Sequence, residues 1–169
     1  MGSDRTSPYS LGMALTGTFP KIHARNLEGL DVDLPAAFAG DRNIVVIAFQ
    51  RTHQTLVDSW VPWFEQQAVS DPGLRFYELP TIGRIWAPVR RFIDGGMAAA
   101  IREPVILQRT FTIYGNLDRV TEPLGIEDRS TIAVFCVDAA GKVLWRGDGG
   151  YAESLARELE TVLAESRLE

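Results

Sequence analysis

NIVVIAFQRTHQTLVDSWVPWFEQQ, residues 43–67, changes its hydrophobic period halfway along. Ile44, Val45, Val46, Ile47, Ala48 and Phe49 form a continuous apolar run rich in β-branched residues, the composition of a strand buried on both faces. Beyond it, Leu56, Trp60, Phe64 and Ala68, with Val57, Val61 and Trp63 beside them, mark the apolar stripe of a helix. The polar turn from Gln50 to Thr55 therefore joins the carboxyl end of a central strand to a helix N-terminus. In open α/β sheets this is where ligands bind, because loops and unpaired backbone N–H groups converge there.

The rest of the chain is consistent with one domain built around that unit. At 169 residues and 46% apolar content it has enough material for a single ordinary core. The net charge of −5 argues against general nucleic-acid binding, which needs a basic surface to displace counterions. Cys136 is the single cysteine, so an internal disulfide and a Cys-rich metal site are both excluded. His23 and His53 are far apart in sequence and give no metal-ligand spacing, so neither a metal nor a cofactor is expected. Residues 1–16 read as a disordered leader or a tag, and 17–169 as the domain. The apolar piece from Leu11 to Leu15 is too short for a membrane span. The expectation is a soluble chain that does not span a membrane, cytoplasmic if bacterial, unless a targeting segment has been removed.

Taken in order, Ile22 to Leu27 and Leu30 to Leu34 alternate about Glu28-Gly29 and predict a hairpin. Residues 35–38 are expected to form a short helix. The first long helix is expected from about Thr55 as N-cap, with Asp58 as a capping-box-like partner, to the stop signal Ser70-Asp71-Pro72-Gly73. Leu74 to Leu79, bounded by Pro80, completes a βαβ unit with a right-handed crossover. Ile82, Ile85, Trp86, Val89, Phe92, Ile93 and Met97 are spaced for one face of a second helix, which Gly95-Gly96 loosens. Residues 108–114 predict a strand with one wet face, 117–123 a short helix, and 131–138 a second buried strand. The turn Ala139-Ala140-Gly141 folds that strand back on Lys142 to Arg146, and a closing helix runs from Tyr151 to Arg167.

A strand ending in Phe49, a short turn and a helix containing Pro62 resemble the active-site unit of the thioredoxin superfamily. Phe135-Cys136-Val137-Asp138 with Gly141-Lys142-Val143 is similar to the hairpin of its redoxin branch. The resemblance implies a thioredoxin-like α/β fold of redoxin type, with a mixed central sheet, flanking helices and an N-terminal β-hairpin extension. It also implies a Cys-x-x-Cys at positions 54 and 57, where this chain has Gln54 and Val57. A cis-proline is implied just before the second buried strand, where Ser130-Thr131-Ile132 stands. Both halves of the redox apparatus are missing.

A narrower likeness runs through Phe19-Pro20, Leu27-x-Gly29, Leu34-Pro35, Val57-Asp58-Ser59-Trp60, and the ending Val137-Asp138-x-x-Gly141-Lys142-Val143-Leu144-Trp145-Arg146-Gly147-x-Gly149. These residues resemble the mitochondrial ATP synthase assembly factor family called ATP-ten and its bacterial relatives. The resemblance implies a non-catalytic chaperone or assembly module with a protein partner, such as a subunit of a membrane complex. It offers no catalytic residues to carry over.

The residues themselves favour a binding corner made of Arg51, Thr52, His53, Gln54 and Thr55 with Thr131, and Trp63 as the exposed aromatic of the helix. That arrangement suits capture of an extended chain by main-chain hydrogen bonds. Two alternatives stay open: a thiol oxidoreductase or peroxidase working through Cys136, and a small-ligand binding protein. Cys136 lies within an apolar strand, which raises a thiol pKa and suits a core cysteine. The run Gly147-Asp148-Gly149-Gly150 reads as a flexible link rather than a calcium or phosphate loop.

Overall fold

The apolar run becomes β3, Arg42–Ala48, and its burial explains its composition. Ile44, Val45, Val46 and Ile47 are each at most 1% exposed, so both faces are covered and β-branched side chains fill them. The computed structural model describes residues 17–83 and 108–168. Around β3 stand β1 Ile22–Asn26, β2 Asp31–Leu34, β4 Leu74–Gly83, β5 Phe111–Gly115, β6 Ala133–Asp138 and β7 Val143–Asp148. They form one seven-stranded sheet in the order β2-β1-β5-β4-β3-β6-β7. β3, β4 and β5 are mutually parallel, while β6 runs antiparallel to β3 and closes the expected hairpin with β7.

Helix α1, Gln54–Ser70, and the closing helix α3, Glu153–Ser166, cover one face of the sheet. Val57, Trp60 and Phe64 of α1 and Ala156, Leu159 and Leu163 of α3 pack there on Ile44, Val46 and Val134. Trp60 and Phe64 stack with ring centroids 5.3 Å apart. Burying a side chain such as Phe64 contributes about 2–3 kcal/mol. On the other face, the short helix α2, Asp118–Thr121, supplies Val120, and Phe19, Phe38 and Ile126 join it on Val45 and Ile47. No helix of the described residues is long and apolar enough to cross a membrane.

The far end of α1 is tied to the sheet by charge. Asp71, just past the helix, accepts from Arg42 Nη2 at 2.9 and 2.7 Å and from Arg167 Nε at 3.2 Å. The Arg42 and Asp71 side chains are only 10% and 6% exposed, so this pair joins the start of β3 to the end of α1 in a desolvated setting, while the half-exposed Arg167 adds the end of α3.

Several expected boundaries move, each for a packing reason. Residues 35–38 form a turn, with Phe38 N–H donating to Pro35 at 3.0 Å, rather than a helix. The turn delivers Phe38 into an aromatic group with Phe19 and Tyr77, at centroid distances of 5.3 and 5.0 Å. β4 does not stop at Pro80 but continues to Gly83, and Ile82 belongs to it rather than to a helix. Thr81 Oγ1 donates to the Ala48 carbonyl at 2.9 Å, giving it a partner beside a residue that has no N–H. Gln108 and Arg109 are helical, and β5 begins at Phe111. The expected wet face is dry: Thr112 of β5 and Thr110 just before it are 0% and 2% exposed. The helix expected from Ile85 to Met97, with its Gly95-Gly96 break, lies outside the described residues.

Candidate functional site

The corner expected at the carboxyl end of β3 is assembled by one buried imidazole. Arg51–His53 is a turn of 3-10 helix that runs straight into α1, so Thr55 lies within the helix and not at its cap. His53 is 3% exposed. Its Nδ1 accepts the N–H groups of Phe49 and Gln50 at 3.1 and 3.3 Å. Two donors on Nδ1 leave the hydrogen on Nε2, which donates to the Ser130 carbonyl at 3.1 Å. One ring thus fastens the strand end, the helix start and the Ser130 loop together.

The Ser130 loop is held from its other side as well. The Ser130 hydroxyl and then its N–H donate to Asp128, holding that exposed carboxyl below its usual range. The Arg129 guanidinium pairs with Asp118 of α2 and donates to Thr121 Oγ1 at 2.8 Å. Gln50 Nε2 donates to the Arg129 carbonyl at 3.4 Å. Between these ties and β6 sits Thr131, half-buried, whose N–H and carbonyl take no hydrogen bond from the described residues.

The third wall is the glycine run, which is a packed contact rather than a flexible link. Gly149, at φ +92°, donates its N–H to the Ile132 carbonyl at 2.9 Å and accepts from Trp60 Nε1 at 3.0 Å. Tyr151 N–H donates to Ser59 Oγ at 2.9 Å. A Cβ on Gly150 would stand 3.1 Å from both Leu56 Cδ2 and Ser59 Oγ, so the absence of a side chain permits this close approach to α1.

Of the expected site residues, Arg51, Thr52, Gln54 and Thr55 are exposed on the first turns after β3, with Thr131 beside them across the His53 to Ser130 link. His53 itself is enclosed, and both ring nitrogens are engaged, so its ring is not offered to a ligand. Trp63 lies about 14 Å along the helix axis from Gln54. It is half-buried and meets Trp60 edge-on at 5.9 Å, as a packing residue away from the corner.

Glu78 is a titratable group beneath the corner that the sequence reading passed over. It sits on β4 beside Val46. Burial pushes its carboxyl up, opposed by the Arg109 guanidinium, reinforced by the Asp58 carboxylate and eased by the Gln54 amide. Gln54 Nε2 donates to Asp58 Oδ1 at 2.8 Å, and the Arg109 guanidinium lies 4.1 Å over the Phe76 ring. The available signal was a lone carboxylate at an apolar-face position, two residues after Phe76. Cys136 is 0% exposed, and burial pushes its thiol up to about 12. Among the described residues, no group of three or more His, Cys, Asp or Glu is placed to hold a metal.

No family model matches the chain, and no curated protein matches it. Solved structures do. BsSco, a member of the Sco family of cytochrome c oxidase assembly proteins, is 14% identical with a TM-score of 0.61, over 92% of this chain and 97% of that one. A thiol:disulfide interchange protein from Bacteroides sp. is 21% identical with a TM-score of 0.57, over 86% and 88%. The thioredoxin domain of a thiol-disulfide oxidoreductase from Bacteroides vulgatus is 20% identical with a TM-score of 0.53, over 86% and 96%. The fold is thioredoxin-like, of the redoxin kind, as the resemblance implied, and this chain carries it with a single cysteine.

Proposed function

We propose that this protein is a non-catalytic binding module that holds an extended segment of a protein partner at the corner formed by Arg51, Thr52, Gln54, Thr55 and Thr131. The observation that carries the reading is Thr131, whose main-chain donor and acceptor stand without a partner among the described residues beside a helix start. An extended chain satisfies such groups by strand addition, and its side chains then meet the exposed polar residues of α1. The burial of Cys136 supports the non-catalytic reading, since the thiolate is the reactive form and this thiol is held far from it at neutral pH.

The partner we favour is a subunit of a membrane complex such as ATP synthase, and the role is assembly. The motif likeness to the ATP-ten family supports this choice. BsSco supports it only by analogy, as a protein of the same fold from a family of cytochrome c oxidase assembly proteins. The test is recovery of partner subunits from native membranes by the parent and by the double substitution Arg51→Glu with Thr55→Glu. Recovery lost in the double variant and retained in Cys136→Ser is expected. Equal recovery by all three would place the partner elsewhere.

A further inference from the structure

The exposed side chain of Gln54 is tied to two carboxylates. Its Nε2 donates to Asp58 Oδ1 at 2.8 Å, one turn further along α1, and the same amide hydrogen-bonds the half-buried Glu78 carboxylate beneath it. Glu78 reaches it from β4, beside Val46 and on the sheet face that carries Phe76. Among the described residues, charged groups face Glu78 from two sides: Asp58 from α1, and Arg109 from just before β5, whose guanidinium lies over the Phe76 ring. The third side, β3, presents Ile44, Val46 and Ala48, all apolar. Arg109 Nε is buried with no hydrogen-bond partner, and its effect on Glu78 is one of charge.

The hydrogens in this cluster can be counted. A primary amide nitrogen carries two N–H groups, its oxygen only accepts, and an ionised carboxylate only accepts as well. With Asp58 and Glu78 both ionised, the two N–H groups of Gln54 are committed, and what remains for the surface is Oε1, an acceptor. A proton on Glu78 reverses one bond, because the acid O–H must donate. Gln54 meets that O–H by turning its amide over, so that Oε1 accepts from Glu78 while Nε2 keeps its bond to Asp58. One N–H is then released to the surface. Burial raises the Glu78 carboxyl, against the Arg109 cation and together with the Asp58 charge, so the change of state falls above the ordinary glutamate range.

We propose that Glu78 sets what Gln54 offers to a partner at the corner, an acceptor when Glu78 is ionised and a donor when it is protonated. The ionised form selects a segment that brings an N–H or O–H to Gln54, and the protonated form one that brings a carbonyl. This use rests on the reading of the corner as the binding site, whereas the exchange of hydrogen bonds does not.

The test is an NMR titration of the free protein from about pH 8 to about pH 4, following the Glu78 carboxyl carbon together with the Gln54 side-chain amide. The Gln54 amide resonances should move at the midpoint of Glu78. Glu78→Gln, whose amide N–H imitates the acid O–H, should remove that step and hold the Gln54 amide near its acid-form position across it. The neighbouring charges should move the midpoint in opposite directions, Asp58→Asn lowering it and Arg109→Gln raising it. Spectra of the variants that match the parent away from the cluster show that each keeps its fold. A Gln54 amide that does not follow Glu78, a step retained in Glu78→Gln, or a midpoint unmoved by both charge variants would each overturn the proposal. The titration needs no partner, so its failure counts against the Glu78 exchange alone, and failure to capture a polypeptide at the corner counts against the corner reading alone.

Discussion

Replacing His53 by Ala should destabilise the protein strongly even though the residue lies in a surface corner. The substitution removes three hydrogen bonds, from Phe49 N–H, from Gln50 N–H and to the Ser130 carbonyl, all in a part-buried setting. At about 1 kcal/mol net for each, the loss is about 3 kcal/mol, before any cost of the space left by the ring. Urea denaturation measures it directly. With an m value of about 2 kcal/mol per molar for a domain of this class, the midpoint should fall by about 1.5 M. His53→Asn separates the two sides of the ring. Its side-chain oxygen can replace Nδ1 while nothing reaches Ser130, so a loss of about 1 kcal/mol is expected. A midpoint change below about 0.3 M for His53→Ala, or identical losses for Ala and Asn, would refute the assignment of His53 as the fastener of the corner.

Asp71→Ala should cost about 3–5 kcal/mol, because it strands Arg42 in a desolvated site, and calorimetry or denaturation will show it. Cys136 should resist an aromatic disulfide reagent at pH 8 in the folded protein and react at once in denaturant, since its thiol is buried and pushed up to about 12. Glu78 gives a pH signature. Its folded carboxyl is raised, so the native state holds its proton more tightly than the unfolded chain, and its contribution falls as pH rises from the ordinary glutamate range toward the raised value. Glu78→Gln should therefore flatten the decline in melting temperature with rising pH across that window, and a parallel decline in both proteins would contradict the sign.

The sheet was largely legible in the sequence, because β3 and β6 are buried on both faces and read as apolar runs. The first helix was legible from the stripe that places Trp60 and Phe64 on the sheet. What could not be read was set by distant contacts. Pro80 signals a strand end locally, but β4 continues through it with its neighbours on either side and a Thr81 hydroxyl on the Ala48 carbonyl. Thr112 alternates like a solvent-facing residue, yet it is 0% exposed, and a polar residue in an alternating strand gives no local sign that its face is covered. The corner was found from the strand-to-helix junction, while the role of His53 was not, since its partner Ser130 is 77 residues away in sequence. The glycine run looked loose for the same reason: Trp60 and Ser59, which it meets, are on another element.

The central claim is that the corner beside Thr131 holds a partner chain. The most direct measurement places a photo-crosslinking residue at Thr55 and, as a control, at Glu160 on α3, and identifies what each captures in native membranes and cytosol of the source organism. Capture of one defined polypeptide from Thr55, a subunit of a membrane complex, with the crosslink mapped to an extended segment and absent from Glu160, is the predicted result. Capture of the same proteins from both positions, or of none from either, would contradict it.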